Sequence, residues 1–202
     1  LKDLNLDPRK THFLNVGLFT SRKNQSEIIE YAKYLLNENI QFHFVGNQAE
    51  NFKYYWEPLM KQFPSNCKWW GERKDVDTFY NAMDVFFFSS KGTTHDKETS
   101  PLVIREAIGW NIPSLLYNLP VYCGIYDKYA NLNWLTPNFE SNLKLIRNRI
   151  KNHNYSSPKD LAMNLSFQEP NIINISTDVP SKVNGIELQY SLKYSFNKGY
   201  LL

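Results

Sequence analysis

D-V-F-F-F-S-S, residues 84–90, decides how the rest of the chain reads. Four consecutive apolar side chains, three of them phenylalanine, leave no alternation between a wet and a dry face. A strand built from them must be covered on both sides, as in a parallel sheet wrapped by helices. On its carboxyl side the run gives way to polar residues and then to E-T-S-P-L-V-I-R-E (98–106), where an acid precedes a short apolar helix and a second acid lies within it.

Working outward, the same kind of strand recurs at F-L-N-V-G-L-F (13–19), I-Q-F-H-F-V-G (40–46), C-K-W-W-G (67–71), I-P-S-L-L-Y-N (112–118) and L-N-W-L (132–135). Between them the apolar period changes to that of a helix. S-E-I-I-E-Y-A-K-Y-L-L-N (26–37) places Ile28, Ile29, Ala32, Leu35 and Leu36 on one face. Residues 51–63 form a helix closed by Pro64, V-D-T-F-Y-N-A (76–82) a short one, and 139–151 a last amphipathic one. Strand and helix alternate through short loops, which predicts a doubly wound, Rossmann-like α/β domain over residues 1–152. From residue 153 onward N-L-S-F-Q, N-I-I-N-I-S-T and I-E-L-Q-Y-S-L-K-Y-S alternate with period two between Pro170, Pro180 and Gly185. This predicts a β-rich antiparallel segment over 153–202.

Composition narrows the classes. With 23 basic and 20 acidic residues the net charge is +3, too small to imply a nucleic-acid partner, so any anion binding must come from local placement. Cys67 and Cys123 have no partner at metal-binding spacing, and His12, His43, His95 and His153 are scattered, so no metal site is expected. Reduced thiols, a charged first decapeptide and the lack of a long apolar run suggest a cytoplasmic chain with no transmembrane segment. The mild basicity is compatible with work at a membrane surface.

In a doubly wound sheet, ligands sit beyond the carboxyl ends of the strands. Gly17, Gly46, Gly71 and Ser89–Ser90 all fall there. Ser100 is a favoured helix cap, Pro101 a favoured first helical residue and Gly109 a stop, which predicts a helix from Pro101 to Ile108. The amides of Leu102 and Val103 then face the rim with the positive end of the helix dipole, an anion site. The plainer reading is that Ser100 only caps. Glu98 precedes the helix and projects into the rim, whereas Glu106 lies among Leu102, Val103, Ile104, Ala107 and Ile108, where a charge needs a reason. A capping contact for Glu98 and a surface position for Glu106 beside Arg105 are the neutral alternatives. The loop Thr20–Asn24 adds Arg22 and Lys23 to the same rim. The neutral reading there is a solvated pair, but an arginine fork and a lysine point charge suit a diphosphate.

Five ordered blocks carry a resemblance: N-V-G-L-F-T-S-R-K-N-Q, F-H-F-V-G, W-W-G-E-R-K-D-V, Y-N-A-M-D-V-F-F-F-S-S and E-T-S-P-L-V-I-R-E-A-I-G-W-N-I-P. Over roughly residues 1–150 the chain resembles the nucleotide-sugar-binding half of retaining GT-B glycosyltransferases, glycosyltransferase family 4 in particular. The interval from Glu98 to Glu106 matches the E-x7-E motif of that family. The resemblance implies transfer of a sugar from a UDP-, GDP- or ADP-linked donor to a glycan, lipid or protein acceptor, with retention and without a metal or other cofactor, as in polysaccharide biosynthesis. It implies that Glu98 contacts the transferred sugar and Glu106 the ribose hydroxyls. It also implies that the amides of Ser100, Leu102 and Val103 cradle sugar and phosphate oxygens, and that Arg22 and Lys23 neutralise the leaving diphosphate. Gly17 belongs to the same rim, and the base would lie near Gly46, Gly71 and Arg73. The chain departs from the family at Leu18, where many relatives carry the diphosphate arginine, and at Asn24, where many carry glycine. The resemblance further implies an N-terminal acceptor domain that this sequence lacks, hence half an active site.

Two other classes compete. A hydrolase using Ser100 and His95 fails for want of a G-x-S-x-G elbow. A non-catalytic binding or scaffold module remains compatible with the fold pattern.

Overall fold

The computed structural model describes residues 4–92, 101–122, 124–151, 182–183 and 186–187. Strands β1 (Thr11–Val16), β2 (Ile40–Val45), β3 (Cys67–Trp69), β4 (Val85–Phe88), β5 (Ser114–Tyr117) and β6 (Leu132–Leu135) form one sheet in the order β3-β2-β1-β4-β5-β6. Every neighbouring pair is parallel, with Thr11 opposite Ile40, Phe13 opposite Val85 and Ser114 opposite Leu132. Helices α1 (Gln25–Tyr34), α2 (Lys53–Lys61), α3 (Val76–Ala82), α4 (Leu102–Gly109) and α5 (Phe139–Lys151) make the crossovers or follow the sheet. The expected doubly wound α/β architecture is what forms.

Strand β4 shows why. Phe87 points to one face and packs with Phe13, Phe42, Leu115 and Tyr117 beneath Ile28, Ile29, Tyr31 and Ala32 of α1 and Leu143 and Ile146 of α5. Phe86 and Phe88 point to the other face and pack with Leu14, Val45 and Leu116 beneath Phe79 and Tyr80 of α3 and Ile104 and Ala107 of α4. Burying each such ring contributes about 1.5–3 kcal/mol. The continuous apolar run is therefore two half-runs, one for each core.

Several boundaries differ from expectation. β1 begins at Thr11, not Phe13, because Thr11 and His12 are buried ladder residues. α1 ends at Tyr34, and Leu36, expected on its buried face, is 47% exposed. The chain leaves the helix at Leu35, whose amide reaches both Tyr31 and Ala32. α2 is preceded by a single turn at Glu50–Phe52 and carries Pro58 inside it. A helix with no fully buried residue, touching the core only through half-buried Trp56, Leu59 and Met60, tolerates that lost bond.

The predicted start and stop of α4 both shift. Pro101 is extended (φ −63°, ψ 120°), and Leu102 is the first helical residue. Gly109 is the last helical residue, and the left-handed position falls to Asn111 (φ 54°). The amide of Ile112 bonds the carbonyl of Ala107, and that of Asn111 bonds Ile108. This is a Schellman closure with asparagine in the place usually taken by glycine.

The chain divides into a unit Leu1–Asn154 and a unit Tyr155–Leu202. In the second, β7 (Lys182–Val183) pairs antiparallel with β8 (Ile186–Glu187). The strands expected at 164–168 and 171–177 lie outside the described residues. Among the described residues no helix is long and apolar enough to cross a membrane.

Candidate functional site

The strand order reverses between β1 and β4: from β1 the chain builds outward to β3, then crosses back and builds from β4 to β6. The loops leaving β1 and β4 therefore part in opposite directions and leave a crevice at the carboxyl edge. Gly17–Asn24 forms one wall, and Ser89–Lys91, at the end of β4, with the start of α4 form the other.

The first wall is rigidly anchored. Phe19 and Thr20 are buried, and the Phe19 ring lies 5.6 Å from that of Phe44. The Gln25 side-chain amide donates to the Leu18 carbonyl at 3.0 Å. The Asn24 amide bonds the Thr20 carbonyl, and Asn24 itself takes the left-handed conformation (φ 54°) that starts α1. Lys23 lies across the strand ends. Its methylenes pass 3.7 Å from where a Cβ on Gly17 would stand, and its ammonium sits 4.9 Å from the centre of the Phe88 ring, the last residue of β4. Arg22 is half-buried on the same turn.

The second wall brings α4, whose amino end opens at the carboxyl edge because the helix runs back towards the start of β5. No described side chain caps it. The N–H groups of Leu102 and Val103 precede any intrahelical acceptor, and Leu102 is 68% exposed. Ser90, at the end of β4, has a buried hydroxyl with no hydrogen-bond partner. Glu106 is exposed and accepts a 2.8 Å hydrogen bond from the Tyr80 hydroxyl, which also reaches the Val103 carbonyl at 3.3 Å. Burial, reinforced by the Glu106 charge, pushes the Tyr80 hydroxyl far above its usual range and keeps it a donor. Glu98, Ser100 and His95 lie outside the described residues.

The glycines serve different purposes. A Cβ on Gly46 would stand 2.0 Å from the carbonyl oxygen of Gly17, so this glycine exists because two strand ends touch backbone to backbone (φ 153°). Gly46 is thus fixed by packing within the sheet, whatever it offers a base. Gly71 (φ 70°) accepts the Gly46 amide N–H on its carbonyl, and the space where its side chain would project is bordered only by the edge of Trp69. Trp69 is 41% exposed, and its indole N–H is held by the Gly46 carbonyl at 3.0 Å. Arg73 closes a two-pronged ion pair on Asp75 (2.8 and 2.7 Å), and its guanidinium lies 5.4 Å from the Phe79 ring centre. The structure thus gathers Gly17, Lys23, Ser89 and Ser90 at the crevice, with the start of α4 opening on the same edge. Gly71, Trp69 and Arg73 stand at the far end of the edge, near β3.

Two groups escaped the sequence reading. Glu27, in the first turn of α1, accepts from four donors: Asn24 Nδ2 at 2.5 Å and Lys91 Nζ at 2.8 Å on one oxygen, Tyr31 at 3.1 Å and Tyr117 on the other. Lys91, just beyond β4, also lies 5.1 Å from the Tyr117 ring centre. Glu27 reads as a solvated helix residue in sequence, and its partners Lys91 and Tyr117 are distant along the chain. Among the described residues no cluster of three or more His, Cys, Asp or Glu gathers as a metal site.

The family model "Glycosyl transferases group 1" matches residues 1–163. The chain belongs to this family. Among solved structures, this group 1 chain is similar to WaaG, a glycosyltransferase involved in lipopolysaccharide biosynthesis (20% identity, 74% of this chain and 40% of that one, TM-score 0.57). It is also similar to Alr3699/HepE of Anabaena in complex with UDP and glucose (17%, 75% and 41%, TM-score 0.65). A third is the sucrose-phosphate synthase of Thermosynechococcus elongatus (17%, 75% and 39%, TM-score 0.63). At these identities the likeness is one of fold, and the chain spans about two fifths of each structure. No curated protein matches it.

Proposed function

We propose that this chain is the donor-binding half of a retaining, metal-independent family 4-type glycosyltransferase, holding a nucleoside-diphosphate sugar in the crevice between β1 and β4. The observation that carries the reading is Lys23. Its stem lies on Gly17 and its ammonium over Phe88, so one cation spans the point where the strand order reverses. A similar fold elsewhere is found with UDP and glucose, which supports a donor of this class.

The chemistry follows from charge. Breaking the anomeric bond builds negative charge on the diphosphate and positive charge on the sugar ring. A cation and helix amides already in place stabilise the developing anion without reorganising, which lowers the barrier. Lys23 and the amides of Leu102 and Val103 take that role, and Arg22 and the amide of Ser100 are assigned to share it. Glu98, repelled by phosphate, faces the sugar. Glu106, oriented by Tyr80, takes the ribose hydroxyls. The base lies towards Gly71 and Arg73. The attacking hydroxyl comes from an acceptor held by another part of the enzyme, and a glycan, lipid or protein at a membrane surface fits that arrangement.

Calorimetric titration with UDP, GDP, ADP and their sugar conjugates tests this. One of the three diphosphates should bind, and Lys23→Met should weaken it about tenfold, as expected for one charge-assisted contact. In the full-length enzyme Glu98→Gln should reduce transfer more than nucleotide affinity. A folded chain that binds none of them points instead to a scaffold module.

A further inference from the structure

We infer that Glu27 is a positioning residue for the donor's diphosphate, acting through Lys23 and Lys91 without touching the donor itself. The inference rests on the donor-binding reading above and adds what sets the cation's position.

The Glu27 carboxylate is a junction. Through Asn24 it holds the residue that follows Lys23, and the same Asn24 amide also donates to the Ser89 carbonyl at 3.1 Å. Ser89 in turn donates its hydroxyl to the Lys23 carbonyl at 2.8 Å. The turn carrying Lys23 is thus tied to the end of β4 by two bonds, and Glu27 fixes the side chain that makes one of them. The same carboxylate pairs with Lys91 on the opposite wall of the crevice. From behind, Tyr31 and Tyr117 donate to its other oxygen, and Asn142 of α5 donates to Tyr31 at 3.0 Å and to the Thr136 carbonyl at 2.8 Å.

The charge matters as well as the shape. The Glu27 side chain is only 13% exposed, so its attraction for Lys91 is poorly screened. Leu18 contributes no cation to the crevice, so the positions of the remaining ones carry more of the diphosphate's stabilisation. A neutral amide at position 27 keeps two acceptor directions at most and presents a donor to Lys91 or to a tyrosine hydroxyl. Both the Asn24 tie and the Lys91 pair should then loosen.

The test compares Glu27→Gln with the unaltered chain. It uses whichever of UDP, GDP or ADP binds, and the corresponding monophosphate. Because Lys23 and Lys91 lie beside the diphosphate rather than the base, the variant should lose about tenfold in affinity for the diphosphate and less than twofold for the monophosphate. In a Lys23→Met background, Glu27→Gln should add under threefold. Equal losses for both nucleotides, no loss for either, or an undiminished loss in the Lys23→Met background each overturn the inference while leaving donor binding standing. If Glu27→Gln fails to fold, Lys91→Met gives the same readout, with the same split between diphosphate and monophosphate expected and an equal loss overturning it. An unaltered chain that binds no nucleotide overturns the donor-binding reading, and this one with it.

Discussion

Each face of the sheet buries a polar cluster, and the two are built on opposite plans. Under α3, Trp70 donates its indole N–H to His43 Nδ1 at 3.0 Å, His43 Nε2 meets His12 Nδ1 at 2.9 Å, and His12 Nε2 meets the Asp7 carbonyl at 2.8 Å. With a donor-only group at one end and an acceptor-only group at the other, one assignment satisfies every atom: both histidines neutral and protonated on Nε2. Under α1, the second cluster centres on a carboxylate, Glu27, and reaches the crevice through Asn24 and Lys91. The first is a closed neutral chain and the second an open charged one. Closure makes the histidine chain a fastening between strands. Openness lets the Glu27 cluster couple the core to the site.

That contrast breaks most readily at the fastening. His43→Leu leaves the Trp70 indole and His12 Nδ1 without partners. Two buried polar groups at 1–3 kcal/mol each should cost about 3 kcal/mol, a fall in Tm of roughly 6–12 °C for a domain of this size. Thermal unfolding measures the fall, and nucleotide affinity should remain unchanged. A matching loss of affinity would show that the two clusters are not separate in function.

Acid tests the same chain more gently. Burial, helped by His12 and Lys68, lowers the His43 pKa to about 3. The unfolded chain, with His near 6.5, binds the extra proton first as pH falls, so the stabilisation is complete above about 6.5 and is lost between there and about 3. Urea titrations at pH 7 and pH 4.5 should differ by roughly 2–3 kcal/mol, and His43→Leu should flatten that part of the profile.

The smallest effect is expected at the far end of the open cluster. Asn142 bonds the amide and carbonyl of Thr136 as well as Tyr31. Asn142→Leu should cost about 2 kcal/mol by the same reckoning. It should also weaken diphosphate binding by about two- to threefold, an order-of-magnitude expectation for a group two hydrogen bonds removed from Glu27. Stability loss with no change in affinity would confine the coupling to Glu27 itself.

The fold was legible because its cores are apolar and local. Residues 76–82, 132–135 and 139–151 coincide with α3, β6 and α5, since period and length decide such segments. What stayed hidden rests on polar residues whose partners are remote. Thr11 and His12 do not extend the apolar run of β1, and His12 is buried there because its ring meets that of His43, 31 residues on. Asn111 closed α4 where Gly109 seemed the natural stop. At the site, Lys23 and the opening of α4 could be placed on the rim from topology. Glu27 could not, because its meaning comes from Tyr117, 90 residues on. The ion pair of Arg73 with Asp75, two residues later, is local and still does not show in the apolar pattern that reads the fold.

The meeting of Gly17 with Gly46 has a mechanical consequence for Lys23. Its stem rests on Gly17, and Gly17 abuts the neighbouring strand with no side chain between. The cation is therefore indexed to main chain, and rotamer hopping in nearby rings leaves it in place. Any change in the spacing of β1 and β2 would instead reach the ammonium directly, like a needle mounted on the frame of a gauge.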